Sequence, residues 1–233
     1  MKYFLLLITL LLINSIVLAY DEKDFLRLKE TKSCVACDLT NANLSKMNLK
    51  NANLSGANLS FSNLSSTNLS NADLSYSKLV KSKIYIANLQ KTNFEGANLT
   101  EARLNGSSLN KANFIDATLV SAVFSKSEAE EVIFDGANLK YTKFRGANLK
   151  KAKFSGSTLL LTDFSSADLT GSEMKAIDLS NSIFVSAKLD MVNFSYSDVS
   201  GMNFAKFMLK ESDFANSITC DAMLPWNNER IIC

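Results

Sequence analysis

From Leu39 to Phe214 every fifth residue is apolar, thirty-six positions in one register with no insertion or slip. Leucine and phenylalanine dominate, and only Ala129 is neither Leu, Phe, Ile, Met nor Val. Two residues before each apolar position there is usually a small side chain, as at Ala42, Ala52, Ala57, Ser62, Thr67 and Ala72. Asn or Asp often fills the position between. A period of five is neither the 3.6 of a helix nor the 2 of a strand, so neither element keeps the apolar residue on one face. A chain that turns a corner every five residues does, returning the apolar and the small residue to a shared interior. Such a short strict period marks a solenoid.

The phenylalanines set the number of sides. From Phe114 to Phe164 they alternate with leucine, except where Ala129 intervenes, an identity period of ten that requires an even number of sides. Four sides stack Phe124, Phe144, Phe164, Phe184 and Phe204 in one column. The opposite column then holds Phe94, Phe114, Phe134, Phe154, Met174, Phe194 and Phe214, and stacked rings add to burial. Three sides would set Phe against Leu in every column.

Pentads such as Ala57-Asn58-Leu59 and Ala97-Asn98-Leu99 resemble the pentapeptide-repeat family, and the resemblance covers nearly the whole chain after the first residues. It implies an all-β fold, a right-handed quadrilateral parallel β-helix of about nine circuits. At roughly 4.8 Å per layer that is a rod on the order of 43 Å long. The large residues Met47, Ile177, Met202 and Phe207 at small positions should widen it locally. Residues 127–133, with Ala129 among Glu128, Glu130 and Glu131, should bulge.

Four segments are expected: an export signal over 1–19, an N-terminal cap over 20–33, the β-helix over 34–219 and a C-terminal cap over 220–233. Lys2, the apolar run 4–18 and Val17-Leu18-Ala19 make the signal. The run is shorter than the ~20 apolar residues of a spanning helix and is interrupted by Asn14 and Ser15. It therefore reads as cleaved on export to a bacterial periplasm or the exterior, with no stable membrane insertion afterwards. Asp21 suits the N-cap of a short helix carrying Phe25 and Leu28. Pro225-Trp226 suits a lid over the last circuit.

The four cysteines lie only at the ends: Cys34 and Cys37, Cys220 and Cys233. An even count in an exported chain favours disulfides. Nine circuits separate the ends, far beyond the reach of a bridge, so the expected pairs are Cys34–Cys37 and Cys220–Cys233. Caps of this kind also resemble those of exported family members.

Little chemistry emerges. The chain has no histidine, which removes the usual general base; with the two cysteine pairs far apart, it also leaves no four-ligand zinc set. No catalytic, cofactor or metal site is expected. Cys34-Val35-Ala36-Cys37 looks redox-active, but its register points both sulfurs inward and no βαβ pattern surrounds it, so it reads as a staple. With 25 basic and 23 acidic residues, the charge balance argues against a nucleic-acid footprint. Lys91, Lys111, Lys150 and Lys151 recur on one side, interrupted by Glu130 and Glu131.

Apolar residues on outward positions are more informative. Phe61, Val80, Val120, Tyr141, Leu160 and Leu161 fall on one side, with Tyr85 and Ile86 on the next, and are expected to form a contact stripe. The expected function is that of a non-enzymatic exported scaffold whose wall binds a protein partner, another copy of the chain included. The resemblance offers one alternative, mimicry of DNA that protects gyrase, which needs an acidic surface and a cytoplasmic address. Thiol redox chemistry at Cys34 and Cys37 is the other.

Overall fold

The computed structural model describes residues 20–227, 229 and 231; the expected export signal and Cys233 lie outside them. The backbone pairs in parallel with itself twenty residues on: Asn43 with Asn63, Asn63 with Lys83, Lys83 with Arg103. Twenty residues are four pentads, so each circuit has the four sides inferred from the phenylalanines. Pairing is confined to single residues on each side, because a corner follows at once.

Most corners are hydrogen-bonded turns. The Ala42 amide donates to the Leu39 carbonyl at 3.0 Å, and Asn41 between them has φ 59°, the mark of a type II turn. Left-handed residues recur at nearly every fifth position from Ala36 to Tyr196. The frequent Asn or Asp before the apolar residue braces this corner. Asn43 Oδ1 accepts the Ser45 amide at 3.2 Å and the Ser45 hydroxyl at 2.7 Å, a local bond these side chains make readily. A backbone fold of this kind depends on repeated local solutions as much as on its core.

Inside, Leu39, Leu44, Phe94 and Phe144 are wholly buried. Phe144 stacks on Phe164 with centroids 5.3 Å apart and planes 5° apart, and Phe94 on Phe114 at 4.7 Å and 6°. The two columns meet edge-on across the interior, as at Phe154–Phe164 (5.6 Å, 89°). Buried hydroxyls at small positions bond carbonyls in the preceding circuit: Thr67 Oγ1 donates to Leu44 O at 2.9 Å and Thr92 Oγ1 to Leu69 O at 2.8 Å.

The structure differs from expectation at three places. Residues 127–133 do not bulge; Ser108, Glu128 and Asn148 pair without interruption. Ala129 is small, but Val132 fills the neighbouring small position and both are fully buried, so the volume is conserved. Met47 does not widen the coil either; it stays half-buried while Asn48 pairs with Asn68. The irregularity lies further on. Ile177 occupies a small position and is 5% exposed; among the described residues, the pair Thr158–Asp178 is missing from the ladder. An opening of about 160 Å³ lies there, lined by Ser157, Leu159, Ile177 and Asn181. Around Met202 and Phe207 the regular corners give way to a 3₁₀ turn, η1 (Glu211–Phe214). Pairing then resumes: Asn203 bridges Met223, and Ala222 and Leu224 are buried. The repeat geometry thus reaches Leu224 rather than stopping at 219, since Ala222 and Leu224 restore the small and apolar positions after Thr219.

Helix α1 (Glu22–Thr31) packs against the first circuit. The Asp21 side chain caps it by accepting the Lys23 and Asp24 amides, while the Asp21 amide donates to Asp38 O at 3.0 Å. Leu28 enters the core completely, and Phe25 lies 4.9 Å from Tyr20. At the other end Trp226 meets Phe214 edge-on at 5.6 Å. Among the described residues, no helix is long and apolar enough to cross a membrane.

Candidate protein-contact surface

The outward apolar residues are distributed less evenly than the sequence suggests. Phe61, Tyr141, Leu160 and Leu161 are exposed, whereas Val80 and Val120 are half-buried. The twenty-residue register puts Lys81, Glu101 and Ser121 between Phe61 and Tyr141, and Lys81 pairs with Glu101 at 3.5 Å. The expected stripe is therefore two patches. Tyr141, Leu160 and Leu161 form the contiguous one, with the Tyr141 amide donating to Leu160 O at 2.9 Å; Val120 flanks them. Sequence reasoning missed other exposed hydrophobes, among them Tyr76, Met191, Tyr196 and Met208. They fall on corners or on the irregular late circuits, where the pentad pattern alone does not mark them as unusual.

Cys34 and Cys37 are brought together inside the first circuit, with sulfurs 2.00 Å apart and Cα atoms 5.3 Å apart. Both are buried beneath α1. The cation at the pair is Arg27: its guanidinium contacts Cys37 Sγ and pairs with Asp24 at 2.9 Å. Asp24 in turn accepts the Asp38 amide at 2.8 Å. Asp24, Cys34 and Cys37 offer three ligand atoms within 4.8 Å of one another, but sulfurs bonded to each other present no thiolate to a metal. Cys220 lies on the last circuits, apart from this pair; its expected partner Cys233 is outside the described residues.

On the side carrying the recurring lysines, the charges pair along the rod: Lys111 with Glu131 at 3.5 Å and Lys151 with Glu130 at 3.8 Å. Asp163, on another side, is only 5% exposed. Burial pushes its carboxyl up, but bonds from Ser165 and the adjoining Arg145 guanidinium outweigh this and hold it below its ordinary value. Arg145 Nε donates directly to this carboxylate.

Two family models cover most of the repeat. Pentapeptide repeats match residues 37–75, 147–184 and 162–201, and the pentapeptide repeat region matches residues 87–164. The chain belongs to the pentapeptide-repeat family. Membership carries the right-handed quadrilateral β-helix, whose four-sided circuit the twenty-residue pairing displays. Among solved structures, it is similar to HetL, a pentapeptide-repeat protein involved in heterocyst differentiation regulation in the cyanobacterium Nostoc. The identity is 25%, over 85% of this chain and 87% of that one, with a TM-score of 0.34. Full-length QnrB1, a plasmid-mediated fluoroquinolone resistance protein, is 18% identical over 75% and 90% of the two chains, with a TM-score of 0.45. A pentapeptide-repeat protein of the Arabidopsis thaliana thylakoid lumen is 26% identical over 47% and 66%, with a TM-score of 0.20. No curated protein matches.

Proposed function

We propose that this pentapeptide-repeat protein is an exported, non-enzymatic binding module of about nine circuits, closed at its ends by α1 and the C-terminal segment. The side of its rod serves as a rigid protein-contact surface. One observation carries the reading: Tyr141, Leu160 and Leu161 lie exposed and contiguous on one wall, where the Tyr141 amide ties successive circuits together by donating to Leu160 O. A preformed wall loses little conformational entropy on binding, and clustered exposed apolar residues favour recognition. Mimicry of DNA would need acidic charge around the rod, whereas acidic and basic residues here occupy separate faces or pair with each other.

The test is affinity capture from the native envelope with the wild type and with Tyr141→Glu/Leu161→Glu, each shown by circular dichroism to be folded. The wild type should recover a protein partner that the variant loses. Equal recovery by both, or none by either, would overturn the reading.

A further inference from the structure

Two opposite sides of the rod carry charge that no neighbour neutralises. On the side centred on Ile84, Leu104, Phe124 and Phe144, the residues Lys83, Arg103, Lys126 and Lys143 are all exposed. None of the four makes a salt bridge to a described carboxylate; Arg145, also on this side, is committed to Asp163. On the side centred on Leu74, Phe94, Phe114 and Phe134 stand Asp73, Glu95, Asp116 and Asp135, and none of these pairs with a described cation. Elsewhere some charges pair within the wall, as at Lys81–Glu101 and Lys111–Glu131, and Lys153 is a basic residue further along the acidic side. Over these four circuits the basic and the acidic face are back to back: their Phe columns meet edge-on across the interior.

We propose that the rod associates side by side with a second copy of itself, the basic face of one molecule against the acidic face of the next. The register supplies the argument. The basic residues follow the acidic ones by ten, eight, ten and eight positions, from 73 to 83, 95 to 103, 116 to 126 and 135 to 143. With twenty residues per circuit, each step is about half a circuit, roughly 2.4 Å along the axis. Two parallel rods related by translation alone therefore bring opposite charges to nearly the same height, four times over. A column of like charges is self-repelling in the monomer, and an oppositely charged wall relieves it. The contact is heterologous, so it leaves one basic and one acidic face free and extends into rows rather than closing as a pair. Exposed charges are screened over about 10 Å at 0.1 M salt, so the association is strong in dilute buffer and weak in concentrated salt.

This inference rests on the reading of the rod as a rigid protein-contact module and adds a second copy as the occupant of its charged faces, apart from the Tyr141 patch. Sedimentation of the exported chain at low and high salt tests it, beside Lys83→Glu/Lys143→Glu and Glu95→Lys/Asp116→Lys, all confirmed folded by circular dichroism. Wild type should associate with concentration at low salt and disperse at high salt. Each variant alone should associate at least tenfold more weakly, and an equal mixture of the two should recover the association, since each supplies the face the other lacks. A wild type that stays monomeric at low salt, or association indifferent to both reversals, overturns the proposal. So does a monomer whose basic face is retained on an immobilised polyanion through Lys83 and Lys143. If the rod is monomeric while Tyr141→Glu/Leu161→Glu still loses a captured partner, self-association fails and the proposed function stands.

Discussion

At the scale of the residue, the corner is the repeated problem and the left-handed backbone its answer. Glycine and asparagine suit it, and both recur there, as at Gly106 (φ 66°) and Asn41 (φ 59°). Ile86 does not. It holds φ 54° with a β-branched side chain that is 71% exposed, so burial returns little for the strain, which is on the order of 1 kcal/mol. Ile86→Asn should therefore raise stability by about 1 kcal/mol in denaturant titrations; a loss would mean that Ile86 is packed by something outside its own wall. Asp163 gives a pH-dependent prediction. Its folded carboxyl is held below the unfolded one, so its stabilisation is complete above about pH 4 and disappears as pH falls through the lowered folded value. The thermal midpoints of wild type and Asp163→Asn should differ near neutrality and converge in acid. Parallel curves would show that the Arg145 contact contributes nothing. The spacing of Asp163 was legible in the sequence, but its burial and its partner were not. Arg27 was equally hidden, because its place at Cys37 depends on how α1 folds back over the first circuit.

At the scale of the pentad and the circuit, sequence and structure agree closely where inward volumes are regular. The four-sided circuit followed from the ten-residue alternation of Phe and Leu, and the stacked columns are present as that alternation requires. The expectation of a bulge at 127–133 fails because two neighbouring substitutions offset one another: Ala129 is small where the repeat wants a large residue, and Val132 is large where it wants a small one. Ile177 is less well compensated. The only reduction beside it is the modest one of Met174 in a column of Phe, and the pairing of Thr158 with Asp178 is lost there. Truncating a buried isoleucine to alanine ordinarily costs 2–5 kcal/mol. Here alanine is what the position accommodates, so Ile177→Ala should cost under about 1 kcal/mol or stabilise, with Leu159 and Leu161 amides gaining protection in hydrogen exchange. A loss of the ordinary size would show that Ile177 fills its site rather than wedging it open.

At the scale of the whole molecule, most of the chain is scaffold, and function lies in what the scaffold displays. A fixed twenty-residue circuit turns sequence position directly into height and face, which is why outward residues could be assigned to sides from the sequence alone. What the linear pattern concealed was the contrast between faces. The nearly balanced composition averages a basic side and an acidic side into neutrality, and Lys81 and Glu101 divide a stripe that looks continuous when only its apolar members are counted. The late circuits were also hard to read, since Thr219 breaks the apolar register although the fold continues to Leu224.

The Tyr141 patch is where this wall should meet its envelope partner. Photo-crosslinking in the native envelope tests it most directly, with a photoreactive residue placed in turn at positions 141, 161, 51 and 111. The account predicts adducts to an envelope protein other than itself from 141 and 161, beside the exposed Leu160, and no such adducts from 51 or 111, which face away from that patch. Such adducts confined to 51 or 111, in equal yield from all four, or absent from 141 and 161 would contradict it.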